Sequence, residues 1–375
     1  MPRLVALAAA GGAAFVTRLR RAWDDGDAVL PVDPRLPGAA LERLLAGLAP
    51  AVLVDPSGAA RSVGGSRPVE DGDALVVATS GSTGSPKGVV LTHEAVAASA
   101  RATSARLGTD PETDRWLACL PLAHVGGLSV VTRALVTGTP LVVHDRFDAT
   151  AVEAEARRGA TRTSLVATAL ARVDGRGFLT VLLGGSRPPP GPLPANVVTT
   201  YGMTETGSGV VYDGIPLPGV EVRIVEDEIQ VRGPMLLRCY RDGHDPKTAE
   251  GWLPTADAGF VDERGRLRVL GRRDEMIITG GENVWPQVLE DVLCAHPQVA
   301  EAAVAGVGDP DWGQRVTAWV VPTDPSLPPT LPGLRDFVVT QLPAYAAPRA
   351  VVVVASLPRT ALGKVARRRL PGYLA

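Results

Sequence analysis

Short apolar runs bounded by glycine, proline and small polar residues recur along the first half of the chain. A continuous run of that kind reads as a strand buried on both faces. Residues 51–54, 74–78, 115–120, 141–144, 163–166, 179–183 and 197–200 fit the pattern. Between them, helical spacing predicts helices at 41–48, at 92–106 with Thr92 as its cap, from the Gly126-Gly127 turn to about Val136, and at 149–158. Strands and helices in alternation predict a largely parallel sheet with helices on its faces. The segment before residue 28 is expected to be helical. Near residue 220 the period changes: 220–224 and 229–232 alternate apolar and polar like an antiparallel hairpin, the start of a β-rich subdomain. A helix at 287–296, strands at 299–304 and 315–321, a proline-rich loop at 321–332, a helix near 334–342 and a strand at 350–354 then predict a compact α+β unit.

Composition narrows the class. At 375 residues the chain is long enough for two domains with substantial cores. A formal net charge of −2 gives no reason to expect a nucleic-acid partner or an anionic membrane surface. No apolar run is long enough to span a bilayer, so no membrane insertion is expected. The start, with one Arg before an Ala/Gly-rich stretch, is a poor match to a signal peptide, and no leader is expected. Cys119, Cys239 and Cys294 are widely spaced and odd in number, which suggests neither a metal motif nor a disulfide framework and fits a reducing cytoplasm. The oligomeric state is left open, a homodimer being one of the states admitted.

One stretch carries the chemistry. Thr79-Ser80-Gly81-Ser82-Thr83-Gly84-Ser85-Pro86-Lys87-Gly88 follows the apolar run 74–78. Glycines let backbone N–H groups turn toward an anion, hydroxyls add donors, and Lys87 adds a point charge. It is not a Walker A loop, because Pro86 stands where the second Gly belongs and Gly88 where Ser/Thr belongs. An arbitrary Gly/Ser run is most often just a solvated loop, but the ordered S-G-S-T-G-x-P-K-G string resembles the phosphate loop of the adenylate-forming superfamily of acyl-CoA ligases, peptide-synthetase adenylation domains and luciferases. Lysine usage points the same way. Lys87, Lys247 and Lys364 are the only lysines, and every other basic side chain is Arg. Lysine is therefore expected where a compact ammonium is needed rather than a planar fork.

Further strings resemble the same superfamily, in the same order. Pro121-Leu122-Ala123-His124-Val125-Gly126-Gly127 resembles its P-L-x-H-x-x-G segment, Thr199-Thr200-Tyr201-Gly202-Met203-Thr204-Glu205 its Y-G-x-T-E motif, and Gly251-Trp252-Leu253-Pro254-Thr255-Ala256-Asp257 its G-W-x-x-T-G-D motif, with Ala256 in place of Gly. Leu270-Gly271-Arg272-Arg273-Asp274 resembles the hinge, and Thr279-Gly280-Gly281-Glu282-Asn283-Val284-Trp285 the loop of the second half-reaction. Pro358-Arg359-Thr360-Ala361-Leu362-Gly363-Lys364 resembles P-R-T-x-x-G-K. The glycine turn Gly184-Gly185-Ser186 is weak by itself.

The resemblance implies an adenylate-forming fold of class α/β: a large α/β N-terminal domain with a β-rich subdomain, residues 1–273, and a small mobile α+β C-terminal domain, residues 274–375. It implies two steps. A substrate carboxylate attacks the α-phosphorus of ATP with loss of pyrophosphate, and a thiol then displaces AMP. For ATP it implies Thr79, Ser80, Gly81, Ser82, Thr83, Gly84 and Lys87 at the phosphates, Gly184, Gly185 and Ser186 at the base, Thr200, Tyr201, Gly202, Met203 and Thr204 around the nucleotide, and Asp257 with Arg272 at the ribose. It implies Glu205 as the Mg²⁺ carboxylate, Lys364 as the adenylation lysine, Asp274 as the hinge, and Gly280, Gly281 and Trp285 on the coenzyme A side. His124, Gly126, Gly202 and Arg133 are implied at the acyl group. The residues after Lys364 are few, so no carrier-protein domain is expected, which favours coenzyme A as acceptor. Within the superfamily the strings most resemble the short 2-succinylbenzoate–CoA ligases of menaquinone synthesis. Other aryl- or fatty-acyl-CoA ligases, and stand-alone enzymes that load a separate carrier protein, remain open alternatives.

Overall fold

The computed structural model describes residues 1–8, 11–80, 86–186, 188–189, 191–359 and 365–373. Among them the strands form sheets of seven, seven, four and five strands. The chain divides into two compact units: Met1–Pro188, Leu193–Val222 and Gln230–Pro254 in the first, and Pro189–Pro192, Arg223–Ile229 and Thr255–Ala375 in the second. Among the described residues no helix is long and apolar enough to cross a membrane.

In the first unit, one sheet is built around the strand Leu4–Leu7, which runs parallel to Ala28–Pro31 on one side and Val52–Val54 on the other. The expectation of helix before residue 28 is therefore corrected to a strand and then the helix Gly12–Asp24. All four residues of Leu4–Leu7 are buried, and so short an apolar run has no period that separates strand from helix. The sheet continues through Asp73–Ser80, which pairs antiparallel with Pro86–Thr92. The stretch read as one phosphate loop thus ends in a strand at Pro86. Gly88 serves packing there, since a Cβ would come within 2.7 Å of Leu48 and 2.8 Å of Val76.

The second seven-stranded sheet is parallel through Leu141–Val143, Trp116–Ala118, Arg162–Leu165, Thr180–Leu183 and Val197–Gly202. Gly209–Tyr212 and Ile215–Pro216 extend it antiparallel. The helix His93–Leu107 begins where Thr92 accepts a hydrogen bond from the Ala95 N–H (3.1 Å) and stops at Gly108 in the left-handed region. Its neighbour Val125–Thr137 is buried along most of its length.

In the second unit, the strands Val299–Asp309 and Gly313–Pro322 form one long antiparallel hairpin, with Ala350–Val353 parallel to the latter. Both strands outrun their expected lengths. Gly306, Gly308 and Asp309, beyond the expected end of the first strand, pair across to Val316, Gln314 and Gly313. The helices Pro286–Cys294 and Leu331–Val339 close this core through Leu289, Leu293, Leu334 and Val338, all fully buried. The strands Glu221–Val225, Glu228–Arg232, Leu253–Val261 and Leu267–Arg272 form the four-stranded sheet. Its first turn, at Glu226 and Asp227, has φ of 48° and 65°, the two-residue form that suits a twisted hairpin.

One buried ion pair braces the parallel sheet. Arg162 donates to Asp114 Oδ2 at 2.9 Å, with side chains 3% and 5% exposed, and to the Thr180 hydroxyl at 2.9 Å. Asp114 also accepts from Thr161 Oγ1 and the Asp110 N–H. Burial pushes the Asp114 carboxyl up, but Arg162 and these donors outweigh it and hold it below its ordinary value. Arg162→Met strands that carboxylate and is expected to cost about 3 kcal/mol in thermal or urea unfolding. Because the folded carboxyl titrates low, the wild-type advantage should be full at neutral pH and fade as pH falls through the acid range.

Candidate active site

The hairpin Asp73–Ser80/Pro86–Thr92 sets Thr79 opposite Lys87, the Thr79 hydroxyl 3.5 Å from the Lys87 carbonyl. Ser80 ends the first strand. Gly81, Ser82, Thr83 and Gly84, expected at the phosphates, lie outside the described residues, as does Lys364. Lys87 is exposed, with Nζ 5.1 Å from the centre of the Tyr240 ring. Tyr240 lies on the short strand Cys239–Tyr240, paired antiparallel with Pro86–Thr92. Its phenol donates to Glu205 Oε1 at 2.8 Å, and its ring lies nearly parallel to that of His244.

Glu205 sits in the single turn Thr204–Thr206 that follows the strand Val197–Gly202. The turn is fixed by the Met203 N–H donating to Thr206 Oγ1 (2.9 Å) and by the Leu237 N–H donating to the Glu205 carbonyl (2.7 Å). Gly202 leaves no room for a side chain, since a Cβ would lie 2.3 Å from the Ser208 carbonyl oxygen. Gly184 is equally constrained: Thr200 Oγ1 donates to the Leu183 carbonyl at 3.2 Å, and a Cβ on Gly184 would stand 2.4 Å from that hydroxyl oxygen. Gly185 follows at φ 79°, and then Ser186. The turns at Gly184 and Gly202, with Tyr201 on the second strand, therefore occupy the carboxyl ends of neighbouring parallel strands, the edge where α/β sheets receive ligands. Among the described residues no group of three or more His, Cys, Asp or Glu side chains that could hold a metal is present. One carboxylate, Glu205, suits Mg²⁺, which keeps its waters and takes its other oxygens from phosphates.

His124, expected at the acyl group, is the N-cap of the helix Val125–Thr137 and does not cap it through its side chain. Gly127, absent from the expected site, is required for the turn: a Cβ would stand 2.4 Å from the Leu120 carbonyl oxygen, whereas Gly126 has ordinary room at 3.6 Å. Arg133, on the same helix, is 1% exposed. Its guanidinium lies 4.7 Å from the Trp116 ring and donates to Ser208 Oγ at 3.3 Å, while Nε and Nη1 have no hydrogen-bond partner. Burial pushes its pKa down. A small cavity nearby is lined by Ser99, Ser129 and Thr132 among apolar neighbours.

In the second unit, Asp257 and Arg272 face each other across paired strands, Arg272 Nη1 3.4 Å from Asp257 Oδ1. Arg272 also reaches Asp274 Oδ1 at 3.4 Å, in the turn Arg273–Glu275. Gly280 and Gly281, at φ 59° and 86°, make the two-residue turn between Ile277–Thr279 and Glu282–Val284, and Trp285 caps the helix Pro286–Cys294. Arg367, three residues beyond Lys364 in sequence, is bound by Glu290, by Glu275 Oε2 (3.0 Å) and by the Val304 carbonyl (2.6 Å). Tyr240 belongs to no string singled out in the sequence, Trp116 was read only as part of the strand 115–120, and Arg367, at the end of the lysine string, was given no role. For Tyr240, an aromatic inside the polar string Arg238-Cys239-Tyr240-Arg241-Asp242 was the available signal.

A parallel sheet with glycine turns and a threonine–glutamate pair at its carboxyl edge, beside a strand-borne lysine, defines a nucleotide-binding α/β enzyme. The chain belongs to the AMP-binding enzyme family: the family's model matches residues 60–241, and that of the AMP-binding enzyme C-terminal domain matches residues 288–364. It is 41% identical over 359 residues to a probable 2-succinylbenzoate–CoA ligase of Mycobacterium tuberculosis, covering 88% of this chain and 93% of the relative. It is 37% identical over 335 residues to a 2-succinylbenzoate–CoA ligase of Bacillus cytotoxicus, covering 79% and 69%. Its fold matches the o-succinylbenzoate CoA synthetase of Bacillus subtilis in complex with the acyl-adenylate intermediate, with a TM-score of 0.83, 30% identity, and 98% and 88% of the two chains covered.

The departure at Ala256 has a structural cost. Ala256 sits at φ 57°, where the superfamily's string has Gly, and its N–H donates to Glu228 Oε1 at 2.8 Å. A side chain in the left-handed region costs roughly 1–2 kcal/mol. Ala256→Gly is expected to raise stability by about 1 kcal/mol, read as a higher Tm, with the Glu228 contact kept.

Proposed function

We propose that this protein is an ATP-dependent acid–CoA ligase whose acid is 2-succinylbenzoate, an enzyme of menaquinone synthesis. Its likeness to the ligases of Mycobacterium tuberculosis and Bacillus cytotoxicus supports the reaction. In the first step a carboxylate oxygen of the acid bonds to the α-phosphorus of ATP and the bond to the β-phosphate bridge breaks, releasing pyrophosphate. In the second the thiol of coenzyme A bonds to the acyl carbon and AMP leaves. Such phosphoryl chemistry needs positioning and charge neutralisation more than covalent help. We assign Lys87, Thr79, Ser80 and the residues from Gly81 to Gly84 to the β- and γ-phosphates. Gly184, Gly185 and Ser186 are assigned to the base, and Thr200, Tyr201, Gly202, Met203 and Thr204 to the nucleotide around it. Asp257 and Arg272 are assigned to the ribose and Lys364 to adenylation. Mg²⁺, when bound, neutralises charge on the polyphosphate, and Glu205 is its carboxylate. Gly280, Gly281 and Trp285 are assigned to the coenzyme A step, and Asp274 to a hinge dividing 1–273 from 274–375. A cytoplasmic location belongs to the same proposal; Cys119 and Cys294 carry thiols that burial pushes up to about 11, as for unreactive core residues.

One observation carries the choice of acid. 2-Succinylbenzoate has two carboxylates, and only one is activated. The other needs a cation or several donors if it is to leave water. Arg133, about two and a half turns beyond His124, is a fully buried guanidinium with two nitrogens lacking partners. Holding such a group is costly unless an anion completes it. The deciding assay is AMP release dependent on coenzyme A across a panel of acids, with 2-succinylbenzoate expected to outperform benzoate and fatty acids. Preference for either of the latter would end this assignment.

Two variants test the roles. Arg133→Met removes an unsatisfied buried charge, so the ligand-free protein should melt higher. The KM for 2-succinylbenzoate should nevertheless rise about tenfold while that for ATP stays unchanged. Lys364→Ala should abolish carboxylate-dependent ATP–pyrophosphate exchange but leave thioester formation from a supplied acyl adenylate largely intact. Equal loss in both half-reactions would refute separate roles.

A further inference from the structure

We propose that Tyr240 is the positioning residue of the nucleotide site: its phenol holds the Glu205 carboxylate for the metal ion, and its ring keeps Lys87 apart from Glu205. The inference rests on the reading of Glu205 and Lys87 given under Proposed function.

Two opposite charges meet one side chain. Lys87 Nζ lies 5.1 Å from the centre of the Tyr240 ring, and Glu205 Oε1 accepts the Tyr240 hydroxyl at 2.8 Å. A direct Lys87–Glu205 ion pair would satisfy both groups and leave the phosphates and the metal each without its partner. The phenol separates them at little electrostatic cost. Its negative π face attracts the ammonium, and its polarised O–H donates to the carboxylate. With Oε1 engaged, the carboxylate keeps Oε2 for a cation.

Tyr240 can do this because its backbone is held firmly. Tyr240 pairs with Val89 and Cys239 with Val90, while the Tyr240 N–H donates to the His244 carbonyl at 2.8 Å. The segment just before it is clamped by Lys247, whose ammonium donates to the carbonyls of Leu237 (2.8 Å) and Arg238 (2.9 Å) and pairs with Asp245 Oδ1 (2.8 Å). The same Leu237 donates its N–H to the Glu205 carbonyl. Three acceptors gathered around one point suit a tetrahedral ammonium and not a planar guanidinium. That accounts for the third lysine of an otherwise arginine-using chain, which no motif explained.

The test is ATP binding by titration calorimetry on the full chain, in EDTA and in saturating Mg²⁺, for the parent, Tyr240→Phe, Tyr240→Leu and Glu205→Gln. Tyr240→Phe keeps the ring and removes the donor. It should bind metal-free ATP within about twofold of the parent but Mg²⁺·ATP about tenfold more weakly, the scale of one hydrogen bond to a charged group. Tyr240→Leu removes the ring as well and should also weaken metal-free ATP by about threefold. A Tyr240→Phe protein that matches the parent in both conditions, or is weakened equally in both, overturns the proposal. Glu205→Gln separates the two readings. If it keeps the parent's response to Mg²⁺, Glu205 is not the metal carboxylate. If it loses that response while Tyr240→Phe keeps it, only the role of Tyr240 fails.

Discussion

The antiparallel pairing of Asp73–Ser80 with Pro86–Thr92 is the constraint on which the site of the first unit depends. In a strand the side chains alternate faces, and a slip of one residue would turn every one of them over. The register that sets Thr79 opposite Lys87 also presents Val89 to Tyr240 on the next strand. Lys87 and Val89 are two apart and share a face, as do residues directly opposite one another in adjacent strands. Lys87 and Tyr240 are therefore brought to one side of the sheet by hydrogen-bond register before any side-chain contact forms. Burial on both sides of Val76, Val89 and Val90 makes that register expensive to change.

The energetic character of the molecule differs between frame and site. In the frame, the Arg162–Asp114 pair is buried and every Asp114 acceptor has a donor. At the helix Val125–Thr137 less is satisfied: Arg133 is as deeply buried but keeps two nitrogens without partners, where Arg162 keeps only Nε so. Charges of the same type in similarly dry surroundings thus serve different ends, one bracing a sheet and the other held at a cost in stability. Strain of another sort sits at Ala256, beside Asp257, where a methyl group occupies left-handed backbone. Such costs concentrate at functional positions because the surrounding hydrogen bonds outvote them.

In the second unit, one side chain fixes the short 3-10 helix Arg367–Gly372 to the core. Glu290, on the helix Pro286–Cys294, accepts from both Arg367 and the Val304 N–H, and Arg367 reaches Glu275 and the Val304 carbonyl as well. Burial pushes Glu290 up in pKa while Arg367 opposes it. A helix, a long hairpin and the residues just past Lys364 are thereby tied through one guanidinium. Its bidentate geometry explains why this position is Arg where a flexible ammonium would hold less firmly.

The sequence by itself determined the class of enzyme and most of the order of its elements. Alternating apolar runs, Thr92 as a cap, and the strings at Lys87, Glu205, Asp257 and Gly280-Gly281 are local signals, set by backbone preference and side-chain chemistry within a few residues. What it misjudged were elements whose identity is decided by neighbours. Leu4–Leu7 is a strand because two parallel strands flank it, and Pro86–Thr92 is a strand because Gly88 lets it press against Leu48 and Val76. Tyr240 and Glu205 are 35 residues apart, and Trp116 with Arg133 form a stack that no spacing announces. Only the folded chain brings such groups within a hydrogen bond or a ring contact of one another, because long-range pairing follows sheet register and burial, which no short window of sequence contains.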